Sequence, residues 1–229
     1  MEQLVLDLGL APQPTLANFV PDGNEPACEY LRLWVQGGGP RSPLPLYLWG
    51  PTGSGKTHLL RAVALALQAR GEAVGWLAPD VHAPGPFDER WSAVLFDDVH
   101  RYTTEQQAAA FNWFVNAQSP ASGGQRAVLA SGDRPPADLP LRDDLRSRLG
   151  WGHVFQLQPL DERARRAVLR RAADARGVAL SDEVIDFLLS RFARDLSSLM
   201  ALLDRLDGYA LRTQRAITIP LVRAMLATD

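Results

Sequence analysis

Gly50-Pro51-Thr52-Gly53-Ser54-Gly55-Lys56-Thr57 fills every position of a G-x-x-x-x-G-K-T phosphate-binding loop. The stretch is preceded by a short apolar run over residues 44–49, bounded by Pro43 and Gly50, which reads as a buried strand. It opens into a helical pattern over residues 58–70. Strand, glycine-rich turn and helix in that order are the context such a motif requires. The glycines let backbone N–H groups curl around phosphate oxygens, and the helix start at Lys56 adds the positive end of its dipole. The Lys56 ammonium can reach the terminal phosphates, and Thr57 supplies a hydroxyl for Mg2+. Pro51, Thr52, Gly53, Ser54 and Gly55 complete the cradle.

A nucleotide loop needs an acid to hold the metal. Ala93-Val94-Leu95-Phe96-Asp97-Asp98 supplies it, because a buried strand delivers Asp97 at its C-terminal end beside the loop. Thr57 and Asp97 are thus the expected metal ligands, and the pattern is that of a Walker B strand.

The rest of the chain organises around this pair. Short apolar runs at 74–77, 93–96 and 128–130, with a helical pattern at 104–116, indicate parallel strands with crossover helices. A helix is expected at 25–35, ended by Gly37-Gly38-Gly39-Pro40. Past Pro159 the strands stop, and helical patterns follow at 162–176, 182–192, 196–211 and 220–226. The third of these places Leu196, Leu199, Met200, Leu203 and Leu206 on one face, with Asp195 as its N-cap. Residues 1–22 are broken by Pro12, Pro14 and Pro21 and read as a tail. The expected organisation is a tail over 1–22, an α/β nucleotide-binding domain over 23–158 and a small all-helical domain over 159–229.

With 229 residues and 46% hydrophobic content, the chain can bury a substantial core. Its formal net charge of -2 argues against a broad cationic face for DNA, so DNA contact is expected to be indirect or weak. The single Cys28 allows no internal disulfide, and residues 1–10 carry two acids and no basic stretch of a secretory signal. No apolar run reaches membrane-spanning length, so a cytoplasmic protein is expected. The histidines are scattered without metal-ligand spacing, so no zinc is expected. Trp91, Trp113 and Trp151 are expected to pack in the core or at the domain junction.

Phosphate loop and Walker B strand define only a P-loop NTPase; the later segments resemble the DnaA branch of the AAA+ proteins. Gly55-Lys56-Thr57-His58-Leu59-Leu60 is similar to that branch's phosphate loop, and Asp97-Asp98-Val99-His100 to its Walker B with paired aspartates. Ala130-Ser131-Gly132-Asp133-Arg134-Pro135-Pro136 resembles its sensor 1 segment, and Leu145-Arg146-Ser147-Arg148-Leu149-Gly150-Trp151-Gly152 its box VII. The resemblance implies a P-loop AAA+ fold with a parallel sheet flanked by helices and a helical lid, binding ADP or ATP with Mg2+. It adds His58 and Asp133 to the nucleotide-contacting residues. Asn18-Phe19-Val20 resembles the segment lining the adenine pocket, although Phe19 and Val20 are equally readable as core. Asp98 stands where many AAA+ ATPases carry a glutamate that polarises water; the shorter carboxylate implies slow hydrolysis.

In box VII the second arginine would be an arginine finger, so the expected catalytic groups are Asp98 and Arg148, the latter acting in trans on a neighbour's nucleotide. Alternatively, Arg146 and Arg148 cap a helix or pair with Asp143 and Asp144. At the sensor 2 position, where the family carries an arginine, this chain has Ser197, with Arg191 and Arg194 nearby. A serine lacks that reach and charge, which fits a protein that holds ADP or responds weakly to nucleotide.

A DnaA-type DNA-reading module is not expected after the lid in the 229 residues. Instead, Gln3-Leu4-Val5-Leu6-Asp7-Leu8 resembles the peptide with which the Hda family binds the sliding clamp, the beta subunit of DNA polymerase III. In extended form Gln3 would hydrogen-bond at the pocket edge while Leu4, Leu6 and Leu8 share one face; an apolar N-terminal strand is the other reading. The resemblance implies a negative regulator of replication initiation that, with the DNA-loaded clamp, stimulates hydrolysis of ATP bound to DnaA. It would be nucleoid-associated through the clamp, and self-association is also expected. A helicase loader, an autonomous ATPase of the same clade, or an adaptor using nucleotide only to hold its fold are the alternatives.

Overall fold

The computed structural model describes residues 13–37, 42, 44–121, 123–192 and 196–227. Five strands form one parallel sheet: β1 (Leu46–Trp49), β2 (Ala73–Leu77), β3 (Trp91–Phe96), β4 (Ala127–Gly132) and β5 (His153–Gln156), in the order β2-β3-β4-β1-β5. Four helices accompany them: α1 (Glu25–Gln36), α2 (Lys56–Gln68), α3 (Thr104–Gln118) and α4 (Asp143–Leu149). Both faces of the sheet are covered. On β1, Leu46 and Leu48 join one core with Leu31 of α1 and Leu59 and Val63 of α2. Tyr47 points the other way, into a second core with Trp113 and Phe114 of α3 and Leu145 of α4. This alternation is the period-2 geometry of a strand, and burial on both faces explains why the strands read as continuous apolar runs. Thr103 caps α3: its hydroxyl accepts from the Gln106 N–H, and the Gln106 side chain accepts from the Thr103 N–H, a capping box.

The order of the strands positions the site. β4 lies between β1, which ends at the phosphate loop, and β3, which ends at Asp97. Groups at the C-terminal end of β4 therefore stand between the two halves of the nucleotide motif, the usual place for ligands in open parallel sheets.

From Leu160 onward the described residues form a separate compact unit of helices: α5 (Glu162–Ala175), α6 (Asp182–Phe192), α7 (Leu196–Thr213) and α8 (Ile219–Leu226). Leu169, Ile185, Leu188, Leu203, Leu206 and Val222 meet at its centre. The apolar face of α7 includes Leu199, Leu203 and Leu206 as expected, with Leu202 buried beside them and Met200 at its border. Arg176 ties α5 to α7 through Asp204 at 2.7 Å. No helix among the described residues is long and apolar enough to cross a membrane.

Three sequence expectations need amendment. Residues 14–22, read as part of a tail, belong to the α/β unit, where Leu16 and Phe19 pack against the core around α2. Strand β5 was not anticipated: its residues alternate between half-buried and exposed on a sheet edge, so no apolar run marks it. Trp151, expected to be packed, is 72% exposed, whereas Trp113 is buried and Trp91 packs edge-on against it. The position proposed as an N-cap, Asp195, and the clamp-peptide residues Gln3, Leu4, Leu6 and Leu8 lie outside the described residues, as do Arg194 and the side chain of Ser197.

Candidate nucleotide site

The phosphate loop links β1 to α2 through three glycines with positive φ. Gly55, the N-cap of α2, has φ 91°, and a Cβ there would lie 2.5 Å from the Phe19 ring. No side chain fits at that position, on conformation or on space. Phe19 also stands 5.6 Å, ring to ring, from His58, and the His58 Nε2 lies 3.1 Å from the Thr15 carbonyl. Burial holds the His58 pKa below the usual histidine value, with the Thr15 contact opposing it. The segment before α1 is thus fastened across the start of α2, bringing Phe19 and His58 together. Val20 is half-buried beside them in sequence, while Pro51 and Thr52 are exposed at the loop tip.

Lys56 is buried and donates to the Gly50 and Pro51 carbonyls at 2.8 and 3.0 Å. Burial lowers its pKa, and the carboxylates of Asp98, Asp97 and Asp133 act against that shift. The ammonium is therefore surrounded by acids without a direct ion pair among the described residues. The Ser54 hydroxyl is buried and has no hydrogen-bond partner among the described residues. A desolvated cation curled onto loop carbonyls and an unsatisfied hydroxyl beside it form an environment that an anion would complete.

Asp97 is the acid opposite the loop. The Thr57 hydroxyl donates to its Oδ1 at 3.1 Å, and the Ser131 hydroxyl donates to the same atom at 2.6 Å. Burial raises the Asp97 pKa while these two hydrogen bonds act against the rise. Thr57 and Asp97 are thus already in contact, as shared ligation of one hard cation requires, and their oxygen donors suit Mg2+. Asp98 follows in a left-handed conformation, φ 49° and ψ 48°. Its carboxylate lies 3.8 Å from Arg101. Asp133, one residue beyond β4, is gripped by Arg134 at 2.9 and 2.7 Å, which holds its carboxyl below the ordinary range. His100 stands 3.9 Å from the same carboxylate.

Among the described residues Arg148 makes no hydrogen bond or ion pair with this cluster. On α4 it donates to the Asp144 carbonyl at 3.0 Å, and its guanidinium stacks 4.9 Å over the Phe111 ring of α3. Arg146 instead pairs with Asp143 at 2.6 Å. Of the two arginines, then, Arg146 follows the ion-pair reading and Arg148 does not. Two residues of the site were not singled out from the sequence: Ser131, and Tyr47, whose buried hydroxyl donates to the Arg134 carbonyl at 2.8 Å. The signal available for both was a polar group inside an otherwise apolar strand.

Residues 161–226 match the family model described as Hda, lid domain. Domain III of the replication initiation protein DnaA from Thermotoga maritima superposes with a TM-score of 0.75 at 24% identity, over 96% of this chain and 98% of that one. The chain thus has the fold of DnaA domain III, and its helical unit matches the Hda lid model. The AMPPCP-bound DnaA from Aquifex aeolicus has the same fold, with a TM-score of 0.68 at 23% identity, over 90% of this chain and 71% of that chain. The RuvB Holliday junction branch migration motor of Thermotoga maritima is more distant in sequence, at 18% identity and a TM-score of 0.66, over 95% of this chain and 72% of that one. In this fold the α/β unit carries residues 50–57 together with Asp97 and Asp98, and the helices matched by the lid model lie in the second unit.

Proposed function

We propose that this protein is a nucleotide-binding negative regulator of replication initiation, which, when attached to a DNA-loaded sliding clamp, stimulates hydrolysis of the ATP held by DnaA. The observation that carries the reading is the contact of Thr57 with Asp97 beside a buried Lys56 and an unsatisfied Ser54 hydroxyl, in a chain whose residues 161–226 match the Hda lid. In this reading ADP or ATP occupies the loop, with Gly53, Ser54, Gly55 and Lys56 around the phosphates. Mg2+, held by Thr57 and Asp97, would neutralise phosphate charge. Phe19, Val20 and His58 serve the base side, and Asp133 the phosphate side.

Arg148 is the group presented to DnaA. A guanidinium has five N–H donors in a planar fork. One backbone carbonyl and one aromatic ring steady Arg148 while leaving donors for an incoming γ-phosphate. Charge that develops on the transferred phosphoryl group is then met by a fixed cation, the effect for which such arginines are worth several orders of magnitude in rate. The protein's own hydrolysis is weak in this account. Asp98 has the short carboxylate, is set on a left-handed backbone and faces Arg101, so it is poorly placed to act as a base. Delivery to DNA comes from Gln3, Leu4, Leu6 and Leu8 inserted into the clamp.

The attachment is tested by direct binding of the full chain to the clamp. Wild type is expected to bind and the Leu6→Ala/Leu8→Ala double variant to lose binding. Equal binding by both would remove the peptide from the account. Steady ATP turnover by the purified chain without DnaA or clamp would instead favour the autonomous-ATPase reading.

A further inference from the structure

Ser131 is completely buried near the end of β4, between Ala130 and Gly132, in a strand whose other buried residues are small or apolar. A hydroxyl costs free energy in such a place unless it is used. It is used twice, on two consecutive residues of the neighbouring strand's end. The Asp98 N–H donates to Ser131 Oγ at 2.9 Å, and the Ser131 hydroxyl donates to Asp97 Oδ1 at 2.6 Å. Thr57 donates to that same Oδ1 from the phosphate-loop side. Both hydroxyls thus converge on one oxygen, and among the described residues no hydrogen bond reaches Oδ2. The contact from the Asp98 N–H fixes the backbone where it is least comfortable, since a non-glycine residue at φ 49° persists only when its surroundings hold it there.

We infer that Ser131 is a positioning residue of the nucleotide site: by tying Asp97 Oδ1 and the Asp98 N–H together, it orients the Asp97 carboxylate toward a divalent cation and fixes the turn that carries Asp98. The inference rests on the reading that the loop binds nucleotide with Mg2+. It follows from sheet order, because only β4 lies between the phosphate-loop strand and the Asp97 strand. Ser131 touches neither nucleotide nor metal; it acts through Asp97.

The test is a titration of the full chain with a fluorescent ADP analogue, in EDTA and across a Mg2+ series, for wild type, Ser131→Ala, Ser131→Thr and Asp97→Asn. In Ser131→Ala the Mg2+ concentration needed for half-maximal tightening is expected to rise about 10- to 100-fold, the usual penalty for losing a group that orients a metal ligand. Affinity in EDTA is expected to stay at the wild-type value, and Ser131→Thr, which keeps the hydroxyl, to behave as wild type. Should Ser131→Ala not fold, Ser131→Cys reads the same requirement with a weak donor. An unchanged Mg2+ requirement in Ser131→Ala, while Asp97→Asn loses its Mg2+ response, would overturn the role of Ser131 alone. Equal weakening of Ser131→Ala in EDTA would also overturn it, because the hydroxyl would then support the pocket as a whole. Absence of ADP binding by wild type in either condition would overturn the nucleotide reading, and the inference with it.

Discussion

The hydroxyl of Tyr47 stands where a side chain on residue 132 would have to go: a Cβ on Gly132 would lie 1.9 Å from it. That hydroxyl also holds the Arg134 carbonyl. β1, which carries the phosphate loop, and the turn after β4, which carries Asp133, are thereby locked together by one buried tyrosine and one missing methyl group. Gly132→Ala is expected to cost about 1–3 kcal/mol in denaturant unfolding, through overpacking. The cost should be smaller in a Tyr47→Phe background, where the clashing oxygen is gone. Purely additive effects in the double-mutant cycle would show that the two positions do not share this space.

Lys56 tests whether the loop is built for an anion. Its charge is desolvated in the structure, so Lys56→Met is expected to leave the nucleotide-free protein at least as stable as wild type. The upward shift of the melting temperature on adding ADP should be lost, since ligand stabilisation follows occupancy. A variant that is destabilised without nucleotide but still shifted by ADP would contradict this.

His58 gives a pH dependence with a definite sign. Its folded pKa is lowered by burial, so the unfolded chain binds its proton more readily, and the unfolded value is about 6.5. The stability it contributes is present above that value and is lost as pH falls through the lower, folded pKa. His58→Gln, which keeps an N–H donor for the Thr15 carbonyl, should therefore flatten the decline in urea midpoint between about pH 7.5 and 5. An identical decline in both proteins would assign the acid sensitivity elsewhere.

The tryptophans separate surface from core. Trp151→Ala, removing a 72% exposed side chain, is expected to change unfolding free energy by no more than about 0.5 kcal/mol. Trp113→Ala, removing a ring packed between Trp91 and Phe96, should cost about 3–5 kcal/mol. Comparable losses at both positions would contradict the observed burial.

Much of this architecture could be read in the sequence because strands buried on both faces appear as uninterrupted apolar runs: 93–96 and 128–130 lie within β3 and β4, and the turn from 50 to 57 carries its chemistry in its glycines. The helices of the second unit were legible by their 3.6-residue period, which a wide apolar face enforces. What escaped was of two kinds. β5 and α4 are a half-exposed edge strand and a seven-residue helix, too short or too mixed for any period to register. Ser131 and Tyr47 act across strands, and their partners follow from the order β3-β4-β1, which no local pattern encodes. Trp151 was misjudged because an aromatic residue is ordinarily buried, although Gly150 and Gly152 on either side of it mark the exposed turn after α4.

In the function proposed for this protein, Arg148 drives hydrolysis of ATP bound to DnaA. That role is tested most directly by single-turnover conversion of DnaA-bound ATP to ADP, with the clamp loaded on DNA, comparing wild type with Arg148→Ala. Clamp-dependent acceleration by wild type, lost in Arg148→Ala by a factor of about 1,000 or more, is the predicted result. Acceleration that is equal for both proteins would contradict the role of Arg148, and no acceleration by wild type would contradict the regulatory function itself.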